Sequence, residues 1–158
     1  MTENLFLHIR SPKLRILPGE ADELVNEGMY GKACAQYLQS NLAHRGYSIP
    51  VVVCEDWGWW VEVKGLDFTC GIGVYGLQID DSEDLDLCVT VLTPKGKKWN
   101  WKKLRSIDTS AEVDRLHDAI RNIFEDDVDV TIVGESPDFP LGCPIDRPQH
   151  LDEPSDAP

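Results

Sequence analysis

Apolar side chains recur along this chain with two different periods, and the switches between them predict the order of its elements. Residues 5–9 are a short apolar run bounded by Pro12, which predicts a first strand. Pro18 and Gly28 bracket a stretch in which Ala21, Leu24 and Val25 are spaced for one turn of helix. From residue 29 to 45, Tyr30, Ala33, Cys34, Tyr37, Leu38 and Leu42 recur at steps of three and four, with Lys32, Gln36, Gln39, Ser40 and Asn41 filling most of the other side. That is the pattern of an amphipathic helix. Gly46 stands where a left-handed cap needs no Cβ.

Four Val-, Ile-, Trp- and Tyr-rich runs follow at 49–55, 59–64, 68–79 and 85–93, separated by short polar or glycine breaks, as in an antiparallel meander. Thr109 and Glu112 have the spacing of a capping box and announce a second helix, with Val113, Leu116, Ile120, Ile123 and Phe124 on its core face. The acidic break at 125–127 ends it, and residues 128–133 read as a closing strand. The order β-α-β-β-β-β-α-β predicts an α+β domain over residues 1–134: a mainly antiparallel sheet of about six strands with two amphipathic helices on one face. Six prolines and six acidic residues fall within 135–158, and so polar a segment is expected to form a mobile tail.

A chain of 158 residues has enough apolar surface to close one core without disulfide or metal staples. Neither a membrane-length apolar run nor a signal-peptide pattern is present, and five irregularly spaced cysteines without a CxxC pair point to reduced thiols and a cytoplasmic location. The formal charge of −13 opposes general contact with nucleic acid. Residues 95–105 are the exception. They hold six of the 15 basic side chains and no acidic one, which leaves nine basic against 28 acidic elsewhere, net −19.

Several motifs carry possible chemistry. Gly71, Gly73 and Gly76 spell GxGxxG, yet no amphipathic helix follows for a pyrophosphate to sit on, so the expected role is relief of crowding or a bulge in a bent strand. The acidic run 80–86 lacks the alternating ligands and central glycine of a calcium loop and reads as a solvated hairpin loop. A Cys–His nucleophile from Cys34, Cys54 or Cys70 with His8 or His117 requires three-dimensional convergence that spacing does not show. No catalytic residue, metal ligand or cofactor is therefore assigned.

The tryptophans are more informative. Glu55-Asp56-Trp57-Gly58-Trp59-Trp60 places three of five around a tight turn, and on a strand Trp59 and Trp60 must face opposite ways. Trp99 and Trp101 are interleaved with the lysines of 95–105. Together with the helix from Gly31 to Gly46, the Cys70-Gly71 strand, Lys98-Trp99 and Ile107-Asp108-Thr109, the Glu-Asp-Trp-Gly-Trp motif resembles that of a family of small uncharacterised bacterial proteins. The resemblance spans about residues 31–124. It implies a bacterial, cytoplasmic protein and supplies no activity, cofactor or catalytic residue. The acidic run 80–86 and the tail after Gly134 depart from the pattern.

The function expected from these residues is a non-enzymatic protein-binding module of inhibitor, immunity or adaptor type. Its contacts are Asp56, Trp57, Trp60, Trp99 and Trp101, with Lys98 and Lys102 for charge steering, and the Trp-bearing hairpin and basic loop act near the open sheet face. The alternative is a small enzyme or ligand-binding domain with a pocket at Glu55 and Asp56. A third reading is single-stranded nucleic-acid binding through 95–105.

Overall fold

The computed structural model describes residues 5–141. Eight strands and two helices follow in the order β1 (Phe6–Arg10), α1 (Lys32–His44), β2 (Val52–Glu55), β3 (Gly58–Val63), β4 (Cys70–Gln78), β5 (Leu85–Val91), β6 (Lys97–Asn100), β7 (Arg105–Asp108), α2 (Ser110–Glu125) and β8 (Thr131–Ser136). Six strands make one antiparallel sheet, ordered β2-β3-β4-β5-β1-β8, and β6 pairs with β7 in a separate two-stranded sheet. The α+β architecture read from the pattern is the one present. The small sheet is an addition: its strands, four residues each, are too short to show a period of two.

Pleating sorts the sheet residues into two layers. Leu7, Ile9, Trp59, Val61, Ile72, Val74, Leu87 and Val89 face the helices and join Cys34, Leu38, Leu42, Leu116, Ile120 and Phe124 in the main core. Both helices therefore lie on one face, α1 over β2 and β3 and α2 over β5 and β8. The opposite face carries a smaller cluster in which Trp57, Tyr75, Cys88 and Leu141 are buried and Phe6, Trp60, Leu92 and Phe139 pack around them. Phe139 meets Phe6 and Tyr75 edge-on at 5.7 and 5.2 Å.

Several boundaries differ from expectation. The first helix begins at Lys32, not 29, because Tyr30 bridges to Gly76 in the sheet and Gly31 has φ 146°. The closing strand is Thr131–Ser136 rather than 128–133: a turn from Asp127 to Val130 intervenes, and Val128 is almost wholly exposed. The segment expected to leave the domain at residue 135 instead completes β8 and seats Phe139 and Leu141 on the second face. The rest of the expected tail, 142–158, lies outside the described residues. The capping box does not form either. Thr109 spends its hydroxyl on the Pro94 carbonyl (2.7 Å) and the Gly96 amide (3.1 Å), and Asp108 accepts the Ser110 amide instead.

One partly buried carboxylate ties three segments together. Asp127, just past α2, accepts from the Lys13 ammonium, the Tyr37 hydroxyl (2.8 Å) and the Asp129 amide (2.9 Å). The lysine above all, then the two hydrogen bonds, pull its carboxyl down to about 2. A carboxyl lowered by folding stabilises the fold above its ordinary value near 4, and that stabilisation disappears as pH falls toward 2. Asp127→Asn is thus expected to lose about 1 kcal/mol at pH 7, with the gap from the parent closing by about pH 2. Urea midpoints of the two proteins across that range test it, and a gap that stays constant with pH would refute it.

Candidate functional site

The residues singled out in the sequence separate into two places along β3. At its start, Asp56 and Trp57 form the two-residue turn between paired Glu55 and Gly58. Gly58 is obligatory there: φ is 154°, and a Cβ would stand 2.6 Å from the Val74 carbonyl oxygen. That close approach folds Trp57 onto the second face against Tyr75, ring centroids 5.4 Å apart, with only 5% of its surface exposed. Trp57 is therefore a packing residue and leaves the contact set. Asp56 is exposed at its side chain, and its carbonyl accepts from the Asn26 amide, which closes the turn against the preceding loop.

Trp59 and Trp60 diverge as the pleat requires. Trp59 is buried in the main core, and Trp60 lies half-buried on the second face, its indole resting on Gly71. A Cβ on Gly71 would stand 2.1 Å from the Trp60 ring, one on Gly73 would stand 2.8 Å from Leu92, and one on Gly76 would stand 2.6 Å from the Tyr30 carbonyl. Each glycine of the GxGxxG string thus accommodates a neighbour across the sheet, inside a continuous strand. This is crowding relief, and no bulge is needed: β4 keeps its register with both neighbours.

At the far end of β3 the second group forms a real surface. The β6–β7 hairpin is anchored at its base by Thr109 and at its tip by Asp67, whose carbonyl accepts from Asn100 (2.6 Å) and whose carboxylate accepts from Lys103 (2.8 Å). The Lys103 hydrogen bond holds the Asp67 carboxyl below the usual range. Between these anchors Trp99 and Trp101 meet edge-on at 5.7 Å and stay 46% and 73% exposed. Leu104, at 69% exposure, occupies the left-handed region with φ 51°. Lys95 is tied to Asp114 at 2.6 Å and Lys103 to Asp67, whereas Lys97, Lys98, Lys102 and Arg105 join no ion pair among the described residues. A cleft of about 500 Å³ separates this hairpin from residues 62–70.

Five steps of strand separate Gly58 from Val63, so the Trp57 turn and the cleft stand roughly 17 Å apart. With Trp57 buried and Trp60 packed on the second face, the turn offers a partner no fully exposed indole, and the expectation that hairpin and basic loop act together on the open face is corrected to the β6–β7 unit alone. Trp60 belongs to the packing of the second face. The pocket expected at Glu55 and Asp56 fares no better: Asp56 lies on open surface, Glu55 is half-buried, and the cleft includes neither.

Among the described residues no hydrogen bond joins Cys34, Cys54 or Cys70 to His8 or His117. Cys34 and Cys70 are core thiols pushed up by burial, and burial raises the partly buried Cys54 thiol as well. His8 is held by Asp86 at 2.8 Å, and His117 is held by Glu135 at 2.8 Å. In the acidic run, Asp84 binds Arg15 and Asp86 binds Arg10, so part of its charge is internally engaged.

No family model, curated protein or solved structure matches the chain. Among the described residues, no helix is long and apolar enough to cross a membrane.

What sequence reasoning missed is Glu20. It is fully buried, accepts from the Leu17 amide at 3.0 Å, and spans to the start of α1, where the Gly31 and Lys32 amides donate to it at 2.9 and 3.0 Å. Its role is structural. The only hint in the sequence is negative: Gly31 offers α1 no side-chain cap and the first turn holds no acid.

Proposed function

We propose that this is a bacterial, cytoplasmic, non-enzymatic protein-binding module of inhibitor, immunity or adaptor type, and that its binding element is the β6–β7 hairpin. The observation that carries the reading is the pair of solvent-facing indoles, Trp99 and Trp101, on a hairpin fixed at both ends. Exposed tryptophan on a rigid support is the composition of an interface hot spot, because little side-chain freedom remains to be lost on docking. The free charges of Lys98 and Lys102 beside it favour an approach by a partner surface of opposite sign. The resemblance of the Glu55-to-Trp59 motif to small bacterial proteins supports the source and compartment.

The test is capture from a bacterial lysate by the parent protein and by Trp99→Ala/Trp101→Ala. The double variant is expected to lose a specific partner, with affinity falling about 100-fold, while its melting temperature stays within about 2 °C because both rings are exposed. Equal capture by both proteins would refute the reading.

A further inference from the structure

The cleft beside the hairpin has a shape that narrows the chemistry of the partner, and this inference rests on the protein-binding reading above. One wall is residues 62–70, the end of β3, the loop and the start of β4, and the other is residues 98–103 with Ile107. Lys98, Trp99 and Asn100 line it consecutively. Neighbouring strand residues point to opposite faces, so a cleft bordered by three in a row reaches the edge of β6, while Ile107 of β7, paired with Lys98, continues its lining beneath one face of the hairpin. That edge is open. β6 pairs only with β7, and its other side presents main-chain donors and acceptors that no described residue takes up.

The charges in the cleft are also unbalanced in one direction. Glu62 is paired with Lys64 at 3.6 Å and Asp67 with Lys103 at 2.8 Å, which neutralises both acids of the walls. Lys98 and Lys102 remain as two uncommitted cations, with the indoles of Trp99 and Trp101 between them. We infer that the cleft takes a short, extended, acidic peptide segment as a third strand on the free edge of β6, with main-chain hydrogen bonds along that edge. Lys98 and Lys102 hold its carboxylates, and the two indoles cover an apolar side chain of the same segment. A nucleic acid fits less well. It brings one charge per nucleotide toward a body of net −19, whereas a peptide with a few local carboxylates meets only the basic hairpin.

Fluorescence anisotropy of the full chain tests this with three labelled probes at low salt: a short peptide alternating glutamate with valine and leucine, the same peptide with lysine for glutamate, and a short oligothymidylate. The expected result is saturable binding of the first alone, weakened about tenfold or more by Lys98→Glu/Lys102→Glu. N-methylation of all the amides of the acidic peptide is expected to abolish binding, since whichever alternate set faces β6 then lacks its donors. Binding that survives N-methylation would overturn strand addition. Preference for the oligothymidylate would overturn the peptide assignment in favour of a strand of nucleic acid. If no probe binds while the tryptophan-dependent capture succeeds, the peptide inference falls and the protein-binding reading stands; if both fail, both fall.

Discussion

Gly71→Ala is expected to destabilise the protein by about 3 kcal/mol, at the upper end of what one added methyl does in a packed layer. The new Cβ would lie 2.1 to 2.5 Å from three ring carbons of Trp60, and a rigid indole cannot retract as a flexible chain does. Trp60 is itself held by β3, paired with β2 at Val53 and with β4 at Gly73, so the ring must leave the sheet surface or the strands must part. Gly73→Ala provides the internal comparison. Its Cβ meets the end of Leu92 at 2.8 Å, a side chain able to change rotamer, and about 1 kcal/mol is expected. In a double-mutant cycle, Trp60→Leu should recover more than half of the Gly71→Ala loss, which urea denaturation reads directly. Additive losses would mean that Trp60 does not rest on Gly71.

Glu20→Ala is expected to cost about 4 kcal/mol, the largest loss of any single substitution considered. Three backbone amides, those of Leu17, Gly31 and Lys32, lose their acceptor at once in a place closed to solvent. Two of them open α1, where the aligned peptide dipoles favour a negative group. No side chain nearby takes over: Gly31 has none to offer, and Lys32 extends its ammonium to Glu23 at 2.6 Å. Glu20→Gln keeps the volume but turns one amide hydrogen toward a backbone donor, so about half the loss should remain. Thermal and urea unfolding of the two variants decide the matter, and a stability within 1 kcal/mol of the parent for Glu20→Ala would sink this account of how α1 begins.

Long, strongly periodic segments were legible without coordinates. The core face written in Val113, Leu116, Ile120, Ile123 and Phe124 is buried as its spacing requires, and the opposition of Trp59 and Trp60 follows from the pleat alone. Boundaries were less legible where a residue answered to a distant neighbour. Tyr30 left the helix for a bridge to Gly76, and Thr109 left its capping box to hold Pro94 and Gly96. At the candidate site, the identities of Trp99, Trp101, Lys98 and Lys102 were readable, while the fate of Trp57 was not.

The pattern of side chains determined the class of fold, the two helix faces and the central strands, because hydrophobic periodicity is a local property that each segment expresses alone. Tertiary structure decided which tryptophans meet solvent, why β4 needs three glycines, and that a carboxylate eleven residues upstream caps α1. Those outcomes depend on which surfaces come within a few ångströms of each other after the chain has closed, and spacing along a sequence holds no record of that distance.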